Sequence, residues 1–234
     1  MSDKHFDPNP THRNFYGRRH GKTLRRSQKG YLADDLGPLR PHGITLADNP
    51  DRTPVDPTDY FEGQPPVWLE IGFGGGEHMV HMAATYPEIG IIGCEPFING
   101  VAMLVGKIKS AGVTNVSVHP GDARDLMDVL PEASIAKAFL NYPDPWPKTR
   151  HHRRRFVTPE HLIPLHRVMA PGAEFRVATD IPSYVRQTLA EVPKAGFELI
   201  SLRAEAWPDW PSTRYEQKAL REGRTPTYLS FRRV

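Results

Sequence analysis

The chain is poor in the features that would place it in several broad classes. Cys94 is its single cysteine among 234 residues, so no internal disulfide and no cysteine-based metal site can form, which fits a reducing compartment. No apolar run approaches the roughly 20 residues needed to cross a bilayer. The stretch Met1 to Pro10 is polar and carries no signal-peptide pattern. The expectation is a cytoplasmic protein without membrane contact. Internal repeats and low-complexity tracts are absent too. His151 and His152 are adjacent but lack a convincing set of partner ligands, so no metal is expected.

What is there is unevenly distributed. The formal net charge is a modest +3. Met1 to Arg40, however, holds nine Lys or Arg against four Asp or Glu, and clustered positive charge points to a polyanionic partner. Residues 1–66 contain nine prolines and few consecutive apolar residues, which predicts a flexible basic arm with little regular structure. Within it Leu24 to Leu36 has a weak helical pattern. Arg13, Arg18, Arg19 and Lys22 are interleaved with Phe15, Tyr16 and Tyr31, a mixture that can grip phosphates and stack on bases.

From Val67 the pattern alternates between strands and helices. Strands are predicted at Val67–Ile71, Gly90–Cys94, Val116–His119, Ala136–Asn141 and Glu174–Ala178. Helices are predicted at Glu77–Tyr86, Ile98–Ala111, Ala123–Leu130, Pro159–Met169 and Ile181–Ala195. Two later strands, Glu198–Arg203 and Thr227–Arg232, read as an antiparallel hairpin joined by a loop without an intervening helix. The implied fold is α/β, a doubly wound and mostly parallel seven-stranded sheet over residues 67–234.

Glu70-Ile71-Gly72-Phe73-Gly74-Gly75-Gly76-Glu77 follows the first strand and opens the first helix. Ligands in such sheets bind at the carboxyl ends of the strands, where glycines let the backbone approach closely. A dinucleotide fingerprint wants a sixth-position glycine, and Glu77 stands there, a carboxylate that would repel a pyrophosphate. The spacing of Gly72, Gly74 and Gly76 after Glu70 resembles motif I of the class I S-adenosylmethionine methyltransferases, whose cofactor is cationic and tolerates acidic neighbours. Glu95 at the end of the second strand suits ribose hydroxyls, and Asp122 after the third suits an adenine amine.

At the end of the fourth strand stands Asn141-Tyr142-Pro143-Asp144-Pro145-Trp146-Pro147-Lys148, followed by Arg150-His151 and Arg154-Arg155. Its prolines forbid helix and strand, so Asp144 sits on a rigid loop beside a block of cations. This string resembles the bacterial tRNA (guanine-N7)-methyltransferases. So does Thr213-Arg214-Tyr215-Glu216-Gln217-Lys218 followed by Gly223-Arg224. The resemblance runs from about Arg18 to Arg233, and Arg214 and Tyr215 depart mildly from the family's usual residues.

The resemblance implies a class I methyltransferase that uses S-adenosyl-L-methionine to methylate N7 of the variable-loop guanine, position 46, of tRNA. It implies cofactor contacts at Glu70, Glu95, Asp122 and Asp144, with Asp144 also catalytic. It implies substrate contacts at Lys148, Asp180 and the segment Thr213, Arg214, Tyr215, Glu216. Lys148, Arg150, Arg154 and Arg155 are expected on phosphates, while Trp146 either stacks on the base or packs the loop. No protein partner is implied and a monomer is favoured. Alternatives are another nucleic-acid base methyltransferase, or a non-catalytic RNA-binding protein on the same fold; a nucleotide-dependent oxidoreductase is disfavoured by Glu77.

Overall fold

The computed structural model of the chain describes residues 15–234. The polar stretch Met1 to Pro10 and Arg13 lie outside the described residues. Aliphatic and β-branched runs form the strands β1 (Val67–Ile71), β2 (Gly90–Cys94), β3 (Val116–His119) and β4 (Ile135–Asn141). They are followed by β5 (Met169–Thr179), β6 (Phe197–Arg203) and β7 (Thr227–Arg233). The strand order is β3-β2-β1-β4-β5-β7-β6. β1 to β5 pair in parallel, whereas β7 is antiparallel to both β5 and β6. This is the doubly wound, mostly parallel sheet that the alternating pattern demands.

The helices cover both faces. α1 (Arg26–Gly30), α2 (Glu77–Thr85) and α3 (Ile98–Ala111) lie on one side, and α4 (Ala123–Val129), α5 (Pro159–Val168) and α6 (Pro182–Glu191) on the other. Each face buries its own apolar cluster, one around Met79, Ile91 and Leu104, the other around Leu69, Phe175 and Phe231. Gly93 sits where a Cβ would lie 2.5 Å from Met79 Sδ, so its lack of a side chain sets how closely α2 approaches the sheet.

Two sequence expectations are corrected. A helix, α7 (Arg214–Arg221), interrupts the connection between β6 and β7. Its sequence, RYEQKALR, is segregated by face but polar overall, with only Tyr215, Ala219 and Leu220 apolar. Its start is nevertheless encoded by Thr213, whose hydroxyl accepts from Glu216 N–H at 3.2 Å, a cap that satisfies an otherwise orphaned donor. The fifth strand begins at Met169 rather than Glu174, because Met169 pairs with Ile135 across a register shift. α5 therefore ends one residue earlier than its pattern suggests.

Residues 15–66 wrap the domain. The Leu24–Leu36 pattern forms α1 and a following π-helical turn over Tyr31–Asp35. Leu36 joins the cluster under α3, while Ile44 and Phe61 join the opposite one. Ile44 is 0% exposed, so its removal leaves a cavity in the main core. Ile44→Ala is expected to lower stability by about 2–5 kcal/mol, read as a shift of the urea midpoint in a single cooperative transition. An unchanged midpoint would mean that this segment is an appendage rather than part of the folding unit.

Candidate active site

The turn after β1 is held open by backbone conformation. Gly72, Gly74 and Gly76 have φ of 71°, 55° and 77°, left-handed values that residues with a Cβ adopt only at a cost. Gly74 N–H donates to Glu95 Oε2 at 2.8 Å, and Phe97 N–H donates to Glu95 Oε1 at 2.9 Å. One carboxylate at the end of β2 thus ties the glycine turn to the start of α3. A Cβ on Gly100 of α3 would lie 2.3 Å from the Gly74 carbonyl oxygen, so helix and turn are in direct backbone contact.

The neighbouring carboxylates are each differently placed. Glu70 is 1% exposed and bonded to His78 Nδ1 at 2.8 Å. Asp122 caps α4 by accepting from Arg124 N–H at 2.9 Å, and its other oxygen takes the Arg124 guanidinium at 2.7 Å. Burial alone would raise its pKa, but the hydrogen bonds and charge of Arg124 hold it below the usual range. Glu77 is similarly matched by Lys107 at 2.7 Å and Arg214 at 2.9 Å. Glu95 goes the other way: burial pushes it up to about 7, against its two N–H donors and with help from the charges of Asp144 and Glu70.

The proline-rich loop after β4 closes the opposite wall. Tyr142 and Trp146 have φ of 48° and 41°, sparsely populated values for aromatic residues that need support from outside the loop. Arg155 supplies it. This side chain is 1% exposed and donates to Pro145 O at 2.9 Å, Ser183 O at 3.0 Å and Ser183 Oγ at 2.9 Å. The expected phosphate role of Arg155 is therefore corrected, since its donors are spent on locking the loop to α6. Arg154 lies between two rings, 4.9 Å from the centroid of Trp146 and 4.9 Å from that of Tyr16. Asp144 stands exposed on this loop at the rim, its carboxyl raised above the ordinary range by partial desolvation against the cleft wall and opposed by the charge of Arg18.

Together these elements line one cleft of about 470 Å³. It gathers Glu70, Gly72, Gly74, Glu95, Asp122, Asp144, Thr213 and Tyr215. Tyr215 stacks on Tyr142 with ring centroids 6.5 Å apart and 16° between planes. Gly76 supports the cleft from behind, packed on Leu104. Lys148, Asp180, Arg214 and Glu216 are not part of the lining. Lys148 is exposed, Asp180 is paired with Arg224, and Arg214 is paired with Glu77. Glu216 is buried, and its Oε1 accepts both from Trp210 Nε1 at 3.1 Å and from the Tyr228 hydroxyl, so the fold engages that oxygen.

The cleft also contains residues of the arm, expected from the sequence to meet phosphates and bases, and one residue that sequence reasoning passed over. Phe15, Tyr16 and Arg18 reach it from the arm, docked through Ile98 N–H to Arg19 O at 3.0 Å and Gly21 N–H to Asn99 Oδ1 at 2.8 Å. Asn141 lines it with both amide atoms buried and without a partner among the described residues. Its position, first in the string that leads to Asp144, was the one available signal. No group of three or more His, Cys, Asp or Glu suited to a metal occurs among the described residues, and no helix there is long and apolar enough to cross a membrane.

A glycine turn at β1, acidic strand ends and the order β3-β2-β1-β4-β5-β7-β6 define a class I methyltransferase fold. Two solved structures support the fold alone. The 16S rRNA methyltransferase KamB aligns with TM-score 0.56 and 18% identity over 72% of this chain and 88% of that one. The [4+2]-cyclase SpnF aligns with TM-score 0.52 and 15% identity over 72% and 74%. Such a fold hosts more than one chemistry, so the decision rests on closer relatives. Residues 64–229 match the family described as "Putative methyltransferase". A tRNA (guanine-N(7)-)-methyltransferase of Paracoccus denitrificans is 80% identical over 97% of this chain and 98% of its own length. Its counterparts in a Jannaschia species and Rhizobium meliloti are 66% and 44% identical over 100% and 94% of this chain and 99% and 95% of their own. The chain belongs to the tRNA (guanine-N7)-methyltransferase family.

The raised carboxyl of Glu95 has a stability consequence. In the unfolded chain it titrates near 4.5 and in the folded one near 7, so between these values the folded chain holds the extra proton. Its contribution is fully present below pH 4.5 and is lost as pH rises through 7. Urea unfolding of wild type and Glu95→Gln at several pH values should show a wild-type loss, relative to the variant, on the order of 1–3 kcal/mol across this window. Parallel pH profiles would contradict it.

Proposed function

We propose that this protein transfers the methyl group of S-adenosyl-L-methionine to N7 of guanine, at position 46 of the variable loop, in tRNA. The observation that carries this reading is the meeting in one cleft of the β1 glycine turn, pinned by Glu95, and the Asp144 loop after β4. The residues fit the cofactor. An added Cβ on Gly72 would have no heavy atom within 4 Å, so the turn leaves room for a ligand against its backbone. Glu70, Glu95 and Asp144 offer negative charge to a cationic ligand. Glu95 and Asp122 would hold ribose and adenine, and the Gly72–Gly76 turn with Glu70 the amino-acid end. When bound, S-adenosylmethionine supplies a methyl group activated by its sulfonium.

The chain's own work is then positioning. Guanine N7 carries a free lone pair and no proton, so no base has to create the nucleophile. What accelerates an in-line displacement is a fixed, collinear approach of the two reactants. Asp144 accepts hydrogen bonds from the guanine N–H edge and opposes the positive charge that develops on the purine ring. Tyr142, stacked on Tyr215, and Trp146, braced by Arg154, hold aromatic surface beside it. Lys148, Arg150 and Arg153 remain as exposed cations of the same region for the phosphates. In this reading residues 1–66 are the tRNA-contacting arm, residues 67–234 carry the methyl transfer, and the protein works in the cytoplasm, where tRNA is found.

Two outcomes follow. Asp144→Ala is expected to lower kcat for labelled methyl transfer to unmodified tRNA by about 10²–10³-fold while tRNA is still retained on a filter; turnover near wild type would remove Asp144 from the chemistry. The exposed cations Arg25, Arg26 and Lys29 of the arm are expected to meet phosphates. Replacing all three by Ala should reduce the slope of log affinity against log salt by about 2–3. An unchanged slope would leave the arm out of tRNA binding.

A further inference from the structure

The sheet ends at β6, whose outer edge has no neighbouring strand among the described residues. Such edges are usually protected by charge, proline, brevity or a β-bulge. This one carries a bulge yet exposes Leu199, Ile200 and Leu202 at 41%, 52% and 50%. They are bracketed by Glu198, which pairs with Arg232 of β7 within the chain, and by Arg203, both exposed.

The pairing with β7 gives this row an unusual symmetry. Leu199 pairs with Phe231 and Ser201 with Ser230, so Ile200 is an extra, bulged residue. Cross-strand partners share a face. Leu199 and Leu202, opposite Phe231 and Leu229, therefore lie on one face although they are three apart in sequence. Glu198, Ser201 and Arg203, opposite Arg232, Ser230 and Tyr228, lie on the other. Without the bulge, residues three apart would point to opposite faces. With it, the ladder reads outward from Ser201 as leucine then charge in both directions, with opposite charges at the two ends.

We propose that β6 is the self-pairing edge of a two-fold dimer of this chain. An antiparallel second copy centred on Ser201 puts Leu199 against Leu202 of that copy and Glu198 against its Arg203, twice over. Both the apolar and the charged positions are complementary to themselves in one register, which is what a two-fold interface requires. A different partner would have to reproduce the same order by coincidence. β6 runs parallel to β1, and a two-fold perpendicular to the sheet reverses strand direction. The two clefts then open on opposite edges of the joined sheet, and each copy keeps a complete site. The contact is a single strand edge, so the association is weak.

Sedimentation of the full-length protein between about 5 and 200 µM, a range suited to a small interface, should show a monomer–dimer equilibrium. Glu198→Arg and Arg203→Glu each place like charges across the edge and should each weaken dimerisation at least tenfold. Mixed one to one, they restore both ion pairs and should recover a heterodimer of wild-type affinity. Methyl transfer per chain should be the same in all of these samples, because β6 touches no part of the cleft. A wild type that stays monomeric throughout, single variants that dimerise like wild type, or a mixture that remains monomeric would each overturn the proposal.

Discussion

The hydrogen bond from Gly74 N–H to the Glu95 carboxylate is the contact on which the rest of the site depends. It ties the turn after β1 to the end of β2, and through Phe97 N–H it extends to the start of α3. Phe73 is the one side chain of the turn buried in the core, and the three left-handed glycines around it have no side chain to hold them. Fixing the turn with a carboxylate rather than with bulk leaves the inner surface open for a ligand. The same carboxylate sits among other acids in a low-polarity wall, which raises its pKa. One residue therefore helps define the shape of the cleft, with the carboxyl group of Glu70 in the same lining.

The opposite wall works by a different device. Prolines alone do not explain the path of the loop bearing Asp144, because Tyr142 and Trp146 adopt backbone angles that aromatic residues rarely occupy. The buried guanidinium of Arg155 fixes the loop to α6 through the Pro145 and Ser183 carbonyls, and Arg154 packs Trp146 against Tyr16 from the arm. Truncating such a buried, fully engaged cation leaves several acceptors unsatisfied at once. The arginine run after the loop thus divides into residues that build it and residues that face solvent, a division set by burial.

Much of this was legible in the sequence. Strand positions β1 to β4 and the glycine turn follow from apolar runs ended by glycine and proline, and the carboxylates Glu70, Glu95, Asp122 and Asp144 could be placed at strand ends by counting. What could not be read was the use of each polar group. Arg155 and Arg154 are chemically alike and adjacent, yet one is buried and the other stacked, a difference made by Ser183 and Tyr16, far away in sequence. Glu216 is expected among the substrate contacts, and that Trp210 and Tyr228 converge on its Oε1 emerges only in the fold. α7 escaped because its sequence is polar overall and its start is marked only by the Thr213 cap. Composition predicts an arm that is flexible and has little regular structure, while Ile44 and Phe61 are single apolar residues whose burial no periodicity announces.

The account holds that the cleft presents guanine N7, a proton-free nucleophile, to the methyl donor. The most direct test is to incubate the purified protein with labelled S-adenosylmethionine and unmodified tRNA, then treat the product with borohydride and aniline. Methylation at N7 makes the glycosidic bond labile, so the account predicts labelled tRNA that is cleaved at a single site, position 46. Label incorporated into tRNA that resists cleavage would place the methyl group on another atom and contradict the account.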